Sequence, residues 1–332
     1  MPKVLILRFS SIGDIVLTTP VIRCIKQQVP GAEVHYCTKQ GFKGILEHNP
    51  YVDRVHVLGD SLSELVRQLK AENFDYVVDL HNNLRTRIIK TRLGKPSKSF
   101  NKLNYEKWLM VNLKINRLPH THIVDRYLAA ASALGIQDDG QGLDYFIPTQ
   151  DEVDPYTLPE PFQQGYVAFA IGAQHYTKRL PTERIIELCE KLQQPIILLG
   201  GKEDAAVGEE IAAHFTRTPN NGQQATMIYN ACGRYSLNGS ASLVRQAEQV
   251  VSHDTGLMHI AAAFQKDIIS VWGNTIPEFG MYPFKTRYKV LEVRGLSCRP
   301  CSKIGYSKCP KGHFKCMREI DFTEIETLSF RG

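Results

Sequence analysis

Short apolar runs, each ending in a small or polar corner and followed by a stretch of helical period, recur along this chain and constrain its fold most. Residues Val4 to Leu7 run into Arg8-Phe9-Ser10-Ser11-Ile12-Gly13-Asp14, after which Leu17, Val21, Cys24 and Ile25 recur on one side. Further strands are expected at 34–37, 55–58 and 76–80, and again at 167–171, 196–199, 249–252 and 268–272. Helices are expected at 182–192 and 257–264, with another at 242–249. Strands alternating with helices make a parallel sheet covered on both faces, an α/β fold. Pro20 leaves two readings of the first helix: it starts near Thr19, or it starts at Asp14 and bends at the proline. Residues 148–164 carry four prolines and four acids, the composition of a linker. At 332 residues the chain accommodates two domains of roughly 150 each. The expected division is 1–155 and 156–332, and a cleft between two such halves is the expected active site.

Ligands of open α/β sheets bind at the carboxyl ends of the strands. Four corners there carry chemistry. Ser10-Ser11-Ile12-Gly13-Asp14 is neither Gly-x-Gly-x-x-Gly nor a P-loop. It offers a carboxylate, Asp14, near a helix start, placed to serve as a general base. Gly172-Ala173-Gln174-His175-Tyr176-Thr177-Lys178 puts a lysine and close backbone access beside an anionic leaving group. In Gly200-Gly201-Lys202-Glu203, an acid past a strand end suits ribose hydroxyls. Asp254-Thr255-Gly256 lies between a strand ending at Val250-Val251 and a helix whose Leu257, Ile260, Ala261 and Phe264 share one face. That corner aims free N–H groups and the helix dipole at an anion, typically phosphate. As bare residues, Asp14 and Asp254 are also ordinary helix caps.

Net charge is +6 and unevenly placed. Between Arg85 and Lys107 eight cations face the single Glu106, with Phe100, Tyr105 and Trp108 interleaved. Such a run suits a solvated face or an anionic partner: phosphorylated headgroups, a membrane surface or nucleic acid. The first residues hold too short an apolar run for a signal peptide, and no stretch approaches the ~20 apolar residues of a membrane span, so a cytosolic protein is expected. Cys24, Cys37, Cys189 and Cys232 sit in apolar stretches and are expected in the core. Cys298-x2-Cys301-x7-Cys309-x6-Cys316, with His313 nearby, contains a zinc-type knuckle but lacks a second close pair. Structural zinc, free thiols and a disulfide all remain open there.

Three motifs together, Arg8 to Pro20, Lys178-Arg179-Leu180-Pro181 and His253 to Ala262, resemble the ADP-heptose:lipopolysaccharide heptosyltransferases of glycosyltransferase family nine. The likeness runs from residue 4 to about 320. It implies a GT-B fold of two facing Rossmann-like domains, the first binding the acceptor and the second the ADP-sugar. It also implies inverting transfer without a metal or cofactor in the chemistry. By motif, Asp14 would be the general base and Lys178 the group that neutralises the departing diphosphate. Donor contacts would come from Gly172, Gln174, Thr177, Lys178, Glu203, Asp254, Thr255, Gly256 and His259. Acceptor contacts would come from Arg8, Ser10, Ser11, Gly13, Arg85 and Arg87. The partner implied is an anionic lipopolysaccharide core at the cytosolic face of the bacterial inner membrane, with peripheral contact to that surface and no nucleic acid. Leu180 stands where relatives often carry Trp, and Ala173 and Gln174 where some carry threonines. Two other readings keep part of the pattern. One is a GT-B enzyme for another nucleotide sugar, a hexosamine transferase or an epimerase. The other is a basic nucleic-acid-binding protein with a zinc knuckle, for which neither half has an RNA-binding sheet signature.

Overall fold

The structure, a computed structural model, describes residues 1–217, 226–323 and 325. They form two compact units: residues 1–104 with 120–146, and residues 105–119 with the described residues from 147 onward. The second unit thus reclaims a helix that the chain makes inside the first.

In the first unit, β1 (Lys3–Leu7), β2 (Glu33–Lys39), β3 (Arg54–Leu58), β4 (Tyr76–Asp79) and β5 (Ser97–Ser99) form a parallel sheet ordered β3-β2-β1-β4-β5. In the second, β6 (Val167–Ala170), β7 (Ile196–Leu199), β8 (Ile228–Asn230), β9 (Gln249–His253), β10 (Asp267–Trp272) and β11 (Tyr288–Glu292) are ordered β11-β10-β9-β6-β7-β8, also parallel. Counted from its own first strand, each unit reads 3-2-1-4-5, with a sixth strand added in the second. This is the Rossmann order, and its direction reverses between β1 and β4 and between β6 and β9. Ligands of such sheets sit at that reversal, beyond the strand ends. The registers bring Leu7 beside Asp79 and Ala170 beside Ser252, so the corners after each pair are neighbours.

The central strands are apolar throughout because both faces are covered. Val4, Leu5, Ile6 and Leu7 are fully buried. Leu5 and Leu7 pack with Phe9, Leu65, Leu69, Phe74 and Ile89. In the second unit Val167, Phe169 and Ile171 pack with Leu188, Cys189, Phe314, Cys316 and Met317. Cys24, Cys37, Cys189 and Cys232 are all buried, as expected of apolar stretches.

Three short strands escape the sequence reading. β5, β8 and β11 lie at or next to sheet edges, where one side needs no continuous apolar run. The expected helix at 242–249 is instead α9 (Leu237–Gln246), started by Ser236, whose Oγ accepts from Gly239 N at 3.1 Å. Of the expected span, Gln249 already belongs to β9. Around Pro20 there are two helices, α1 (Ile12–Val16) and α2 (Thr19–Gln28), with Pro20 in the first turn of the second. The basic run divides among α4 (Leu84–Leu93), β5 and α5 (Asn104–Leu113). Among the described residues no helix is long and apolar enough to cross a membrane.

Candidate active site

The corner after β1 is built around Arg8. Its side chain is 9% exposed, and every guanidinium nitrogen is engaged. Nε donates to Ser10 O at 2.7 Å, and Nη1 donates to Leu80 O at 2.6 Å and to the Tyr127 hydroxyl at 3.0 Å. Nη2 pairs with Asp14 Oδ1 at 2.6 Å. Burial disfavours the guanidinium charge, but Asp14 outweighs it and holds the group above its ordinary value. Asp14 is the third residue of α1. Its Oδ2 accepts from Ser11 N at 3.1 Å and Ser11 Oγ at 2.8 Å, the reciprocal arm of a capping box. A carboxylate held at both oxygens on a first turn, and still partly exposed, is oriented in advance of any substrate.

The resemblance makes Arg8 an acceptor ligand. In the structure four of its five N–H donors are engaged within this unit, and the one on Nη2 orients Asp14. Ser10 lends its carbonyl and Ser11 its hydroxyl to the same arrangement, and Gly13 is buried within α1. Arg85 and Arg87 stand exposed in the first half of α4, which Asn83 caps.

The neighbouring corner, after β4, was not read from the sequence. Asp79 is fully buried and accepts from His81 N at 3.1 Å, Asn82 N at 2.7 Å and Ser99 Oγ at 3.0 Å. Lys90 Nζ completes the set at 2.9 Å. One cation of the basic run therefore points inward, because a buried carboxylate needs a counter-charge. His81 lies against Phe9, and burial followed by the Arg8 charge pushes its pKa down to about 4. The available signal was position alone: polar residues just past a strand end.

In the second unit Lys178 and Asp254 span the reversal between β6 and β9. Lys178 Nζ lies 2.6 Å from Asp254 Oδ2 and 3.3 Å from Asp254 O. An ammonium has three donors, and two are used here. Asp254 Oδ2 also accepts from Thr275 Oγ1 at 2.9 Å. Thr255 caps α10 (Gly256–Ala263), whose first N–H groups have no intrahelical acceptor. His259 is buried on that helix. Thus Lys178, Asp254, Thr255 and Gly256 come together as the sequence implied.

Others go elsewhere. Thr177 is 1% exposed, and its Oγ1 accepts from Tyr306 N at 2.8 Å, so it braces the loop that carries Tyr306. Glu203 is exposed, whereas its neighbour Asp204 is buried, accepting from Gly201 N at 2.9 Å and Arg179 Nη1 at 3.0 Å. A side chain at Gly172 would strike Asp204 Oδ2, so the glycine is required by close packing. Gln174 is exposed beside it. Asn274, just past β10, is 1% exposed, and its amide has no partner among the described residues; only its place after a strand end marks it in the sequence.

His253, at the end of β9, is fully buried and accepts from Leu180 N through Nε2 at 3.0 Å. Burial pushes its pKa down to about 3, and that of His56 to about 4. With His81, three imidazoles are neutral when folded but titrate near 6.5 when unfolded. The unfolded chain therefore binds more protons below pH 6.5. Stability is complete above that value and falls as pH drops toward 4, by up to about 1.4 kcal/mol per pH unit for each histidine. Urea midpoints should decrease from pH 7 to pH 5; equal midpoints would contradict buried neutral imidazoles.

The sequence profile of glycosyltransferase family 9 (heptosyltransferase) matches residues 62–310, three quarters of the chain. The chain belongs to glycosyltransferase family 9. Lipooligosaccharide heptosyltransferase 2 of Haemophilus influenzae is 26% identical over 315 residues, covering 83% of this chain and 85% of that protein. Among solved structures, ADP-heptose lps heptosyltransferase II of E. coli superposes with a TM-score of 0.68 at 21% identity, covering 96% of this chain and 98% of the other. E. coli heptosyltransferase WaaC with ADP gives 0.64 at 24%, covering 87% and 93%. The two parallel sheets are thus those of a GT-B glycosyltransferase.

Proposed function

We propose that this family 9 enzyme moves a heptose from ADP-heptose to a lipopolysaccharide inner-core acceptor, inverting the anomeric carbon without a metal in the chemistry. The observation that supports it best is the matched pair of corners: a pre-oriented carboxylate in one Rossmann unit and a pre-oriented ammonium in the other. Asp14 takes the proton from the acceptor hydroxyl as its oxygen attacks the anomeric carbon. Arg8 and Ser11 hold the carboxylate for that step. The bond from the anomeric carbon to the diphosphate breaks, and Lys178 and the first N–H groups of α10 meet the charge on the departing ADP. Thr255 adds its hydroxyl, and Asp254 Oδ1 is the acceptor for a sugar hydroxyl. Glu203 takes the ribose. A donor panel with ADP-heptose and common UDP- and GDP-sugars over a crude glycolipid acceptor tests this: transfer from ADP-heptose alone is expected, and preference for a UDP-sugar would overturn it.

We further infer peripheral contact with an anionic membrane surface at the cytosolic face, where that acceptor is found. Arg85 and Arg87 lie near the N-terminus of α4, where the helix dipole disfavours cations, so an anionic acceptor offsets their placement. α5 supports the same reading. It buries Leu109 and packs Met110 and Val111 against the Leu118, Ile276 and Phe279 cluster, yet leaves Tyr105 63% and Trp108 53% exposed. Exposed tryptophan and tyrosine beside Lys107, Lys114 and Arg117 suit a headgroup layer. Binding to vesicles containing anionic lipid should fall steeply between 50 and about 300 mM salt and weaken in Trp108→Ala. Salt-insensitive binding, or none, would remove this contact.

A further inference from the structure

Two histidines are built into the sheet of the first unit, on β2 and β3. The register sets His35 beside Arg54 and Cys37 beside His56, so both imidazoles stand on one face. α3 (Leu62–Ala71) covers that face with Leu65 and Leu69, and Leu5, Leu7, Cys37 and Val77 make the rest of it apolar. His35 is 1% exposed and His56 8%. Phe74 meets both rings edge to face, at centroid distances of 5.2 and 6.1 Å, and so fixes their planes. Imidazoles buried among such side chains must be paired.

Their protons follow from the partners. His35 Nε2 lies 2.7 Å from Glu33 Oε1, a carboxylate that Lys3 also faces at 3.3 Å. An ionised carboxylate only accepts, so His35 carries its proton on Nε2 and keeps a lone pair on Nδ1. That Nδ1 lies 2.9 Å from His56 Nε2, which therefore supplies the one proton between the two rings. Glu72, the residue that ends α3, brings a carboxylate oxygen within 4.8 Å of a ring nitrogen of each histidine. It bonds Lys3 at 3.0 Å and Arg54 rather than either ring. Among the described residues this is the one place where three histidine, cysteine or acidic ligand atoms come so close. Cys298, Cys301, Cys309 and Cys316 are free thiols, and no three of them do so.

We propose that His35, His56 and Glu72 bind one zinc ion, which takes the place of the proton between the two rings and ties β2, β3 and the end of α3 together. Two imidazoles and a carboxylate are a donor set that suits zinc. Zn–N bonds of about 2.0–2.1 Å at a tetrahedral angle set two nitrogens about 3.3 Å apart, a few tenths of an ångström beyond their present spacing. Glu33 already stands where the outer-shell carboxylate of a zinc-bound histidine belongs, on the ring nitrogen that does not ligate. His56 passes its proton from Nε2 to Nδ1, so no proton need leave. Arg54 gives up Glu72 to the ion; its side chain is 60% exposed, and so open a pair is cheaply broken. Glu33 and Glu72 together balance the charge of the ion. The ion takes no part in transfer, because β2 and β3 lie on the other side of β1 from β4, whereas Asp14 and Asp79 flank the reversal between β1 and β4. Its role is to stabilise the first unit.

The test uses the full chain, freed of metal by chelation and dialysed, and titrates it with Zn²⁺ against a chromogenic chelator. Wild type should bind, and Cys298→Ser with Cys301→Ser should still hold about one ion per chain. His56→Gln and Glu72→Gln should each weaken binding by about tenfold or more, and Glu33→Gln, which touches no ion, by about 10–100-fold. Zn²⁺ at a hundredfold excess over Kd should raise the unfolding midpoint by about 5–10 °C in wild type and not in His56→Gln. In ¹⁵N spectra of the wild-type histidines, added Zn²⁺ should move the His56 proton from Nε2 to Nδ1. No binding, affinity unchanged in both His56→Gln and Glu72→Gln, or binding abolished by the cysteine replacements would overturn the site. Should the His56 and Glu72 variants fail to fold, the wild-type spectra decide it: His35 and His56 resonances unmoved by Zn²⁺ would refute it. Binding at these residues with an unchanged unfolding midpoint would overturn the stabilising role.

Discussion

Asp14→Asn should lower kcat by about two to four orders of magnitude while leaving affinity for ADP nearly unchanged. The amide is isosteric but cannot take a proton at neutral pH, so the attacking hydroxyl loses its acceptor. The donor corners lie in the other unit and share no residue with Asp14, so ground-state binding of the nucleotide has no reason to change. The substitution also disturbs its own corner. Oδ1 faces Arg8 Nη2, and Oδ2 faces both the N–H and the hydroxyl of Ser11. Whichever way the amide turns, its NH2 meets a donor, and a capping contact of this kind is worth about 1 kcal/mol. A melting curve run beside the kinetics separates the two effects. A variant with an unchanged melt and turnover within a few-fold of wild type would remove Asp14 from the role of base.

Why the setting of Asp14 could be read from the sequence while that of Arg8 could not follows from where their partners lie. Asp14 is set by local features: an apolar strand, a run of small residues and a helix start, all within a dozen residues. Arg8 is defined by Leu80 and Tyr127, 72 and 119 residues away. Only the sheet order, which lays β4 beside β1, brings them near. Thr177 repeats the lesson, for its partner Tyr306 is 129 residues distant. In each case the motif marked the residue, but tertiary contacts determined which of its atoms are free. Lys90 belongs to the same class. In the sequence it is one more member of a basic run, and in the fold it neutralises the buried Asp79. The central strands were legible because burial on both faces requires unbroken apolar runs. The edge strands β5, β8 and β11 were not, because nothing requires it of them.

Lys178→Ala should weaken ADP binding by about thirty-fold or more, since truncating one member of a largely buried charge pair costs roughly 2–5 kcal/mol. Two causes contribute, and the geometry distinguishes them. The ammonium has one donor left for a phosphate oxygen after serving Asp254 Oδ2 and the Asp254 carbonyl. Losing it removes that contact. It also leaves Asp254, 8% exposed, as an uncompensated carboxylate beside an incoming diphosphate. A double-mutant cycle with Asp254→Asn apportions the loss. If repulsion dominates, adding Asp254→Asn to Lys178→Ala should recover most of the ADP affinity. If the direct contact dominates, the double variant should bind ADP as weakly as Lys178→Ala alone. In both cases turnover should remain low, because recovered nucleotide affinity does not replace the positive charge that meets the leaving group as its bond breaks. Unchanged ADP affinity in Lys178→Ala would mean that the lysine serves only to hold Asp254, and the charge of the departing nucleotide would then fall to the N-terminus of α10 alone.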